Sequence, residues 1–182
     1  MNIPNMLTVS RILLMLVMMC VFYMPFQWVN YVTAGLFAIA SVTDWLDGYL
    51  ARRWEQSTPL GAFLDPVADK LTVALALVLL VEQHHVWWFT LPAVIIISRE
   101  IIISALREWM AELGKRTSVA VSYIGKVKTA LQMISILLLL FAHEQYEYIH
   151  TLGMVLLYAA VILTVWSMFK YLYAAKDLLL AD

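Results

Sequence analysis

Residues 43–70 read TDWLDGYLARRWEQSTPLGAFLDPVADK and join two apolar segments through a short polar loop. Asp44 and Asp47 come before this loop, and Asp65 and Asp69 come after it. Helix residues three or four positions apart share one face, so each pair of aspartates lies along one stripe of its own helix. A loop this short makes the two helices antiparallel neighbours. The sequence therefore predicts that the two acidic stripes meet at the same depth.

The second of these helices carries its own start signals. Thr58 fits the N-cap, and Pro59 fits the first helical position, where a missing N–H costs no hydrogen bond. Pro66 leaves open either a kink in this helix or a later start. Three small residues lie on the acid-bearing faces: Gly48, Ala51 and Gly61. They either leave room for a bulky ligand or let the helices pack closely.

The composition of the 182-residue chain is that of an integral membrane protein. Hydrophobic residues make up 63% of it, against about 45–50% in soluble domains, and charged residues only 14%. This excludes a disordered chain, a nucleic-acid binder and an ordinary soluble domain. The single cysteine, Cys20, excludes an internal disulfide and a cysteine-based metal cluster. We predict one membrane domain that comprises residues 1–182.

The apolar segments predict an all-α fold with six transmembrane helices, since a bilayer crossing needs about 20 apolar residues. The predicted spans are 12–26, 29–50, 62–81, 87–108, 123–142 and 149–172. The turns at 25–28, 82–87 and 143–150 contain no Lys or Arg, and all twelve basic residues lie in or towards the other connections. The positive-inside rule then places both termini in the cytoplasm. Residues 2–10 are expected to form a short interfacial helix.

Four carboxylates at a membrane boundary need compensating positive charge. Each would cost about 2.5–3.5 kcal/mol at the bilayer centre, and like charges repel one another. Arg52, Arg53 and Lys70 offset part of this charge. Divalent cations are a more effective solution, and carboxylate oxygens suit Mg²⁺ or Mn²⁺. Two such ions about 3.5–4 Å apart are typical of sites that displace a phosphoryl group.

The acidic motif is similar to the signature of the CDP-alcohol phosphatidyltransferase family. It matches at eight positions: Asp44-x2-Asp47-Gly48-x2-Ala51-Arg52-x8-Gly61-x3-Asp65-x3-Asp69. Further similarity lies in residues 2–11, 65–70, 99–115 and 125–129, so the resemblance covers essentially the whole chain. Within the family, the chain is most similar to the bacterial branch that uses glycerol 3-phosphate as the acceptor.

The resemblance implies a reaction, a location and an assembly. The phosphatidyl group of CDP-diacylglycerol passes to the hydroxyl of glycerol 3-phosphate, and CMP is released. From the residues we predict a metal-assisted direct displacement, because no Ser or His stands among the acidic residues as a covalent nucleophile, and an Asp nucleophile is the alternative. The protein would be a homodimer of six-helix subunits in the bacterial inner membrane. Its active site would lie at the cytoplasmic face, open to membrane lipid, and no nucleic acid would take part.

The resemblance also assigns roles to individual residues. By similarity, the four aspartates bind two ions of Mg²⁺ or Mn²⁺, and Asp69 is the general base. The residues expected to bind CDP-diacylglycerol are Asn5, Thr8, Gly48, Ala51, Arg52 and Gly61.

The phosphate of the acceptor needs cationic partners in the same half of the membrane. Arg107, Lys126 and Lys128 are the first candidates, and Arg99 follows because it lies inside an apolar run. The alternatives are an ion pair of Arg99 with Glu100 and plain orientation-setting charge for the others.

Three other functions remain open at this point. Another member of the family would use phosphatidylglycerol, serine or inositol phosphate as the acceptor. A membrane prenyltransferase also binds a diphosphate through aspartates, but it commonly has a third acid where this chain has Ala51. A cation transporter would need carboxylates near mid-membrane, whereas here all four lie towards one face.

Overall fold

The computed structural model describes residues 3–54, 58–114, 123–142 and 146–179. Within these ranges the chain forms six α-helices and no strand, which confirms the predicted all-α fold. The helices are α1 Ile3–Phe22, α2 Val29–Trp54, α3 Pro59–His84, α4 Trp87–Glu112, α5 Tyr123–Ala142 and α6 Glu147–Leu179. In the described residues, three segments are long and apolar enough to cross a membrane: Asn5–Phe22, Trp87–Glu112 and Glu147–Lys176.

The first helix differs from its prediction. Residues 3–22 form one continuous helix, so the separate interfacial helix expected at residues 2–10 is wrong. Pro4 does not break the helix, because it lies in the first turn, where proline is tolerated. The polar side chains of Asn5, Thr8 and Arg11 are buried against other helices rather than turned towards a membrane surface. At its other end α1 stops at Phe22 instead of continuing to residue 26.

The predicted start of α3 is confirmed. The side chain of Thr58 accepts a hydrogen bond from the backbone N–H of Gly61 at 3.0 Å, and Pro59 is the first helical residue. Pro66 lies inside the helix, which continues through it to His84. The later start that the sequence left open is therefore excluded, and the first turn of α3 faces the buried start of α1.

Two apolar clusters hold the helices together. The larger one joins all six helices and includes Met18, Phe37, Leu77, Phe89, Ile136 and Leu157. The smaller one joins α4 to α6 through Ile103, Leu106, Met110, Tyr171 and Ala175. This second cluster lies beside the charged residues of α4, and it fixes the position of α6 relative to them. Many large apolar side chains face outwards, as expected of a surface that contacts lipid.

Candidate active site

The polar side chains of α1 bind the N-terminal part of α3. Thr8 Oγ1 donates a hydrogen bond to Asp65 Oδ1 at 2.7 Å, and Thr58 Oγ1 donates one to Asn5 Oδ1 at 2.9 Å. Asn5 and Thr8 are almost fully buried. The structure thus places Asn5 and Thr8 of α1 beside the acidic segment, where Thr8 orients the carboxylate of Asp65.

A close helix approach explains why residue 61 is glycine. A Cβ atom at Gly61 would lie 2.7 Å from Asn5 Oδ1, which is closer than real Cβ contacts allow. Asn5 cannot easily move away, because Thr58 holds the same oxygen atom. The small residue at position 61 therefore permits contact between α1 and α3.

Gly61→Ala is expected to destabilise the protein by about 1–3 kcal/mol, because the added methyl group separates α1 from α3. The measurement is the midpoint of thermal unfolding in detergent. Gly35→Ala is the matched control, since a Cβ there has nothing within 4 Å and alanine favours the helix. Equal unfolding midpoints for the two variants would contradict the proposed close approach.

Arg11 joins carboxylates from two different helices. Its Nη1 atom lies 2.6 Å from Asp44 Oδ1 on α2 and 2.5 Å from Asp69 Oδ1 on α3. The arginine is 1% exposed, whereas the side chains of Asp44 and Asp69 are 42% and 50% exposed. A buried guanidinium is tolerable when it is paired in this way. One cation thus neutralises the inner side of the acidic site while both carboxylates stay accessible.

The sequence interpretation missed the role of Arg11 and treated it as a topology-setting charge. A signal was present, because Arg11 is directly followed by the apolar run ILLMLVMMC. An ionisable residue at the edge of a membrane segment either reaches the membrane surface or pairs with a partner inside the protein, and the sequence alone does not distinguish the two.

The described carboxylates fit a hard divalent cation, although they do not form a complete metal site. No three Asp, Glu, His or Cys side chains among the described residues are arranged to hold a metal ion. Asp44 and Asp69 nevertheless both contact the guanidinium of Arg11, so oxygen atoms from two helices converge on one positive group. Their oxygen atoms are the donors that Mg²⁺ and Mn²⁺ prefer. The side chain of Asp47 lies outside the described part of the structure.

A cavity of about 510 Å³ adjoins the acidic site. Its lining includes the carboxylates of Asp65 and Asp69 and the cationic groups of Arg99, Arg107 and Lys128. Three of the four candidates for binding the acceptor phosphate therefore share one cavity with the acidic residues. A smaller cavity of about 150 Å³ lies among the cations themselves.

The cationic side of the cavity is organised around Glu100. Glu100 Oε1 accepts hydrogen bonds from Lys128 Nζ and, at 3.3 Å, from Arg99 Nη1. The ion pair that the sequence left open for Arg99 is therefore present. Arg99 Nη2 also donates to Ser167 Oγ on α6 at 2.9 Å, and Arg107 Nη2 donates to the hydroxyl of Tyr171 at 2.7 Å. Three cations and one carboxylate leave net positive charge in this region.

The remaining predicted site residues lie outside the described side chains. They are Asp47, Gly48, Ala51, Arg52 and Lys126.

Comparison with known proteins agrees with the motif. The family model for CDP-alcohol phosphatidyltransferase matches residues 1–166. A Yersinia enterocolitica protein is 59% identical over 179 residues, which cover 98% of this chain and 97% of that protein. Proteins of Salmonella choleraesuis and Sodalis glossinidius are each 57% identical, over 98% and 96% of this chain and 97% and 95% of their own lengths.

All three relatives are named CDP-diacylglycerol–glycerol-3-phosphate 3-phosphatidyltransferase, and this name matches the enzyme class predicted from the sequence. Members of the matched family are membrane-embedded and generally depend on a divalent metal. The chain belongs to the CDP-alcohol phosphatidyltransferase family.

Proposed function

We propose that this protein transfers the phosphatidyl group of CDP-diacylglycerol to the primary hydroxyl of glycerol 3-phosphate, forming phosphatidylglycerophosphate and CMP. The relatives named for this reaction support the choice of substrates. The observation that carries the proposal is the cavity in which Asp65 and Asp69 face Arg99, Arg107 and Lys128. It offers carboxylates for a hydroxyl group and cations for a phosphate within one space.

Asp69 is the proposed general base. Its carboxylate lines the cavity and is half exposed, so it can accept the proton of the acceptor hydroxyl. The hydroxyl oxygen forms a bond to the phosphorus that carries diacylglycerol, and the bond from this phosphorus to the CMP oxygen breaks. CMP leaves with the bonding electron pair. A single displacement predicts inverted configuration at phosphorus.

Arg11 has a supporting role in this scheme. Its positive charge offsets part of the negative charge of Asp44 and Asp69, and the two ion pairs link α2 and α3 through α1. The carboxylates of Asp44, Asp47, Asp65 and Asp69 would hold two divalent cations, either Mg²⁺ or Mn²⁺. When bound, such ions neutralise charge on the phosphate oxygens and on the leaving group.

The substrates would occupy opposite sides of the carboxylates. Arg99, Arg107 and Lys128 would bind the phosphate of the acceptor, together with Lys126. The nucleotide side would use the motif residues Gly48, Ala51 and Arg52, and the buried contact of Asn5 and Thr8 with α3 at Gly61 would support this side from behind. A guanidinium group suits this task because it can donate two parallel hydrogen bonds to a phosphate.

The positive-inside pattern supports an active site at the cytoplasmic face of the bacterial inner membrane, with both termini on that side. The site cations Arg11, Arg107 and Lys128 belong to the helix halves that this pattern assigns to the cytoplasm, and Arg99 lies at the middle of α4. Membrane lipid would supply CDP-diacylglycerol laterally, and the subunits would associate as a homodimer.

The decisive assay supplies purified protein with CDP-diacylglycerol and one acceptor at a time. The acceptors are glycerol 3-phosphate, phosphatidylglycerol, serine and inositol phosphate, and mass spectrometry identifies the lipid product. We expect phosphatidylglycerophosphate and stoichiometric CMP with glycerol 3-phosphate alone, and loss of both products with a chelator. Faster turnover of another acceptor would replace the proposed substrate, and release of pyrophosphate would indicate prenyl transfer.

Arg107→Gln is expected to raise KM for glycerol 3-phosphate about tenfold or more, because a hydrogen bond to a charged group is lost. KM for CDP-diacylglycerol should stay within about twofold of its original value. Steady-state kinetics with each substrate varied in turn measure both constants. The matched control is Lys170→Gln on α6, because Lys170 is exposed and does not line the acceptor cavity. Unchanged KM for glycerol 3-phosphate in Arg107→Gln would remove this residue from the acceptor site.

A further inference from the structure

We propose that Tyr171 is a positioning residue that holds Arg107 in the orientation in which it binds the acceptor phosphate. This inference rests on the proposed function of the Arg107 site. The hydroxyl of Tyr171 accepts a hydrogen bond from Arg107 Nη2 at 2.7 Å. The centre of its ring lies 5.0 Å from Arg107 Cζ and 5.7 Å from Arg99 Cζ. One aromatic side chain on α6 therefore contacts two arginines of α4.

Tyr171 is itself fixed by packing. It is 8% exposed and belongs to the apolar cluster that joins α4 to α6, with Ile103, Leu106, Met110 and Ala175. Its aromatic ring cannot turn away without breaking this cluster. The hydroxyl oxygen is thus a fixed acceptor beside the cationic cavity, which Tyr171 also lines.

The arrangement addresses a physical problem of a site with two guanidinium groups. Arg99 and Arg107 are two helical turns apart on one face of α4, and their like charges repel. A long arginine side chain also loses considerable rotamer freedom when it is held in one place. The electron-rich ring face attracts the guanidinium groups of both arginines, and the hydroxyl fixes the orientation of the Arg107 guanidinium. Arg107 therefore loses part of its rotamer entropy when the protein folds, so less is lost when the acceptor binds.

A second contact of α6 supports the same face. Ser167, one turn before Tyr171, accepts a hydrogen bond from Arg99 Nη2 and donates one to the carbonyl of Thr164 at 2.9 Å. The helix therefore holds Arg99 through Ser167 and Arg107 through Tyr171. Because Tyr171 acts through Arg107, its hydroxyl should matter for acceptor binding only when Arg107 is present.

The test is a double-mutant cycle between Tyr171→Phe and Arg107→Gln. Tyr171→Phe keeps the ring and removes only the hydroxyl, and we expect KM for glycerol 3-phosphate to rise about three- to tenfold. The kcat and KM for CDP-diacylglycerol should stay within about twofold. In the Arg107→Gln background, Tyr171→Phe should cause no further rise. Tyr173→Phe is the matched control, because Tyr173 is 72% exposed and its ring contacts Lys176 instead.

The outcomes separate this inference from the function on which it rests. If Arg107→Gln raises KM for glycerol 3-phosphate and Tyr171→Phe does not, the inference is wrong while the acceptor site stands. If neither variant changes KM, the acceptor site itself is wrong. Equal effects of Tyr171→Phe with and without Arg107, or parallel losses for both substrates with a lower unfolding midpoint, would overturn the positioning role.

Discussion

Replacing Asp69 with asparagine is expected to lower turnover by a factor of about 10³ or more while the helical bundle stays folded. Asparagine has nearly the same shape, but its amide cannot accept a proton at neutral pH. Loss of a general base alone typically costs about 10²–10⁴ in rate. The variant also removes one of the charges proposed to bind the divalent cations. Release of CMP from CDP-diacylglycerol measures the effect.

Lost turnover in Asp69→Asn reports on the carboxylate only when the variant stays folded. The amide oxygen can still accept a hydrogen bond from Arg11, and Asp44 remains as a charged partner of the buried guanidinium, so the unfolding midpoint should change little. Glu82→Gln is the matched control, because Glu82 is an exposed carboxylate at the opposite end of α3. Turnover within tenfold of the original enzyme would exclude Asp69 as the base. A large fall in the unfolding midpoint would point to a structural role instead.

The meeting of Asp44 with Asp69 was predictable because it depends on local rules. Helical spacing places each acid on a stripe, and the short loop predicts that α2 and α3 run antiparallel; in the structure Asp44 and Asp69 meet at Arg11 of α1. Arg11 and Tyr171 were not predictable in the same way. Hydropathy treats a charge near the end of a span as a boundary marker, and an aromatic residue in an apolar segment as packing. Their roles arise from contacts between helices that lie far apart in sequence.

The wrong prediction for residues 2–10 has a related physical cause. Asn5, Thr8 and Arg11 recur every three residues and form one polar stripe on a helix. Such a stripe is equally compatible with a helix that lies on the membrane surface and with one that turns its polar side into a bundle. Only the presence of Asp65 and Asp69 on the opposing helix distinguishes these cases. That information is tertiary, and periodicity does not contain it.

Arg11→Met is expected to destabilise the metal-free protein by about 1–2 kcal/mol, since Asp44 and Asp69 lose the positive partner that they share. The carboxylates of Asp44 and Asp69 are partly exposed, so solvent moderates the loss. For a chain of this size the unfolding midpoint should fall by about 2–8 °C. Thermal unfolding in detergent with a chelator measures this change without reference to activity.

Adding a divalent cation to the Arg11→Met protein distinguishes a structural ion pair from a cation site. If Asp44 and Asp69 bind a cation jointly, Mg²⁺ or Mn²⁺ should raise the unfolding midpoint of the variant more than that of the original protein, because the ion replaces the missing positive charge. Arg11→Lys keeps the positive charge but lacks the planar guanidinium group. The ion should raise its unfolding midpoint by an amount between those of the variant Arg11→Met and the original protein. If the ion raises the unfolding midpoints of all three proteins equally, the two aspartates do not share an ion. The proposal that Asp44 and Asp69 bind a divalent cation together would then be wrong.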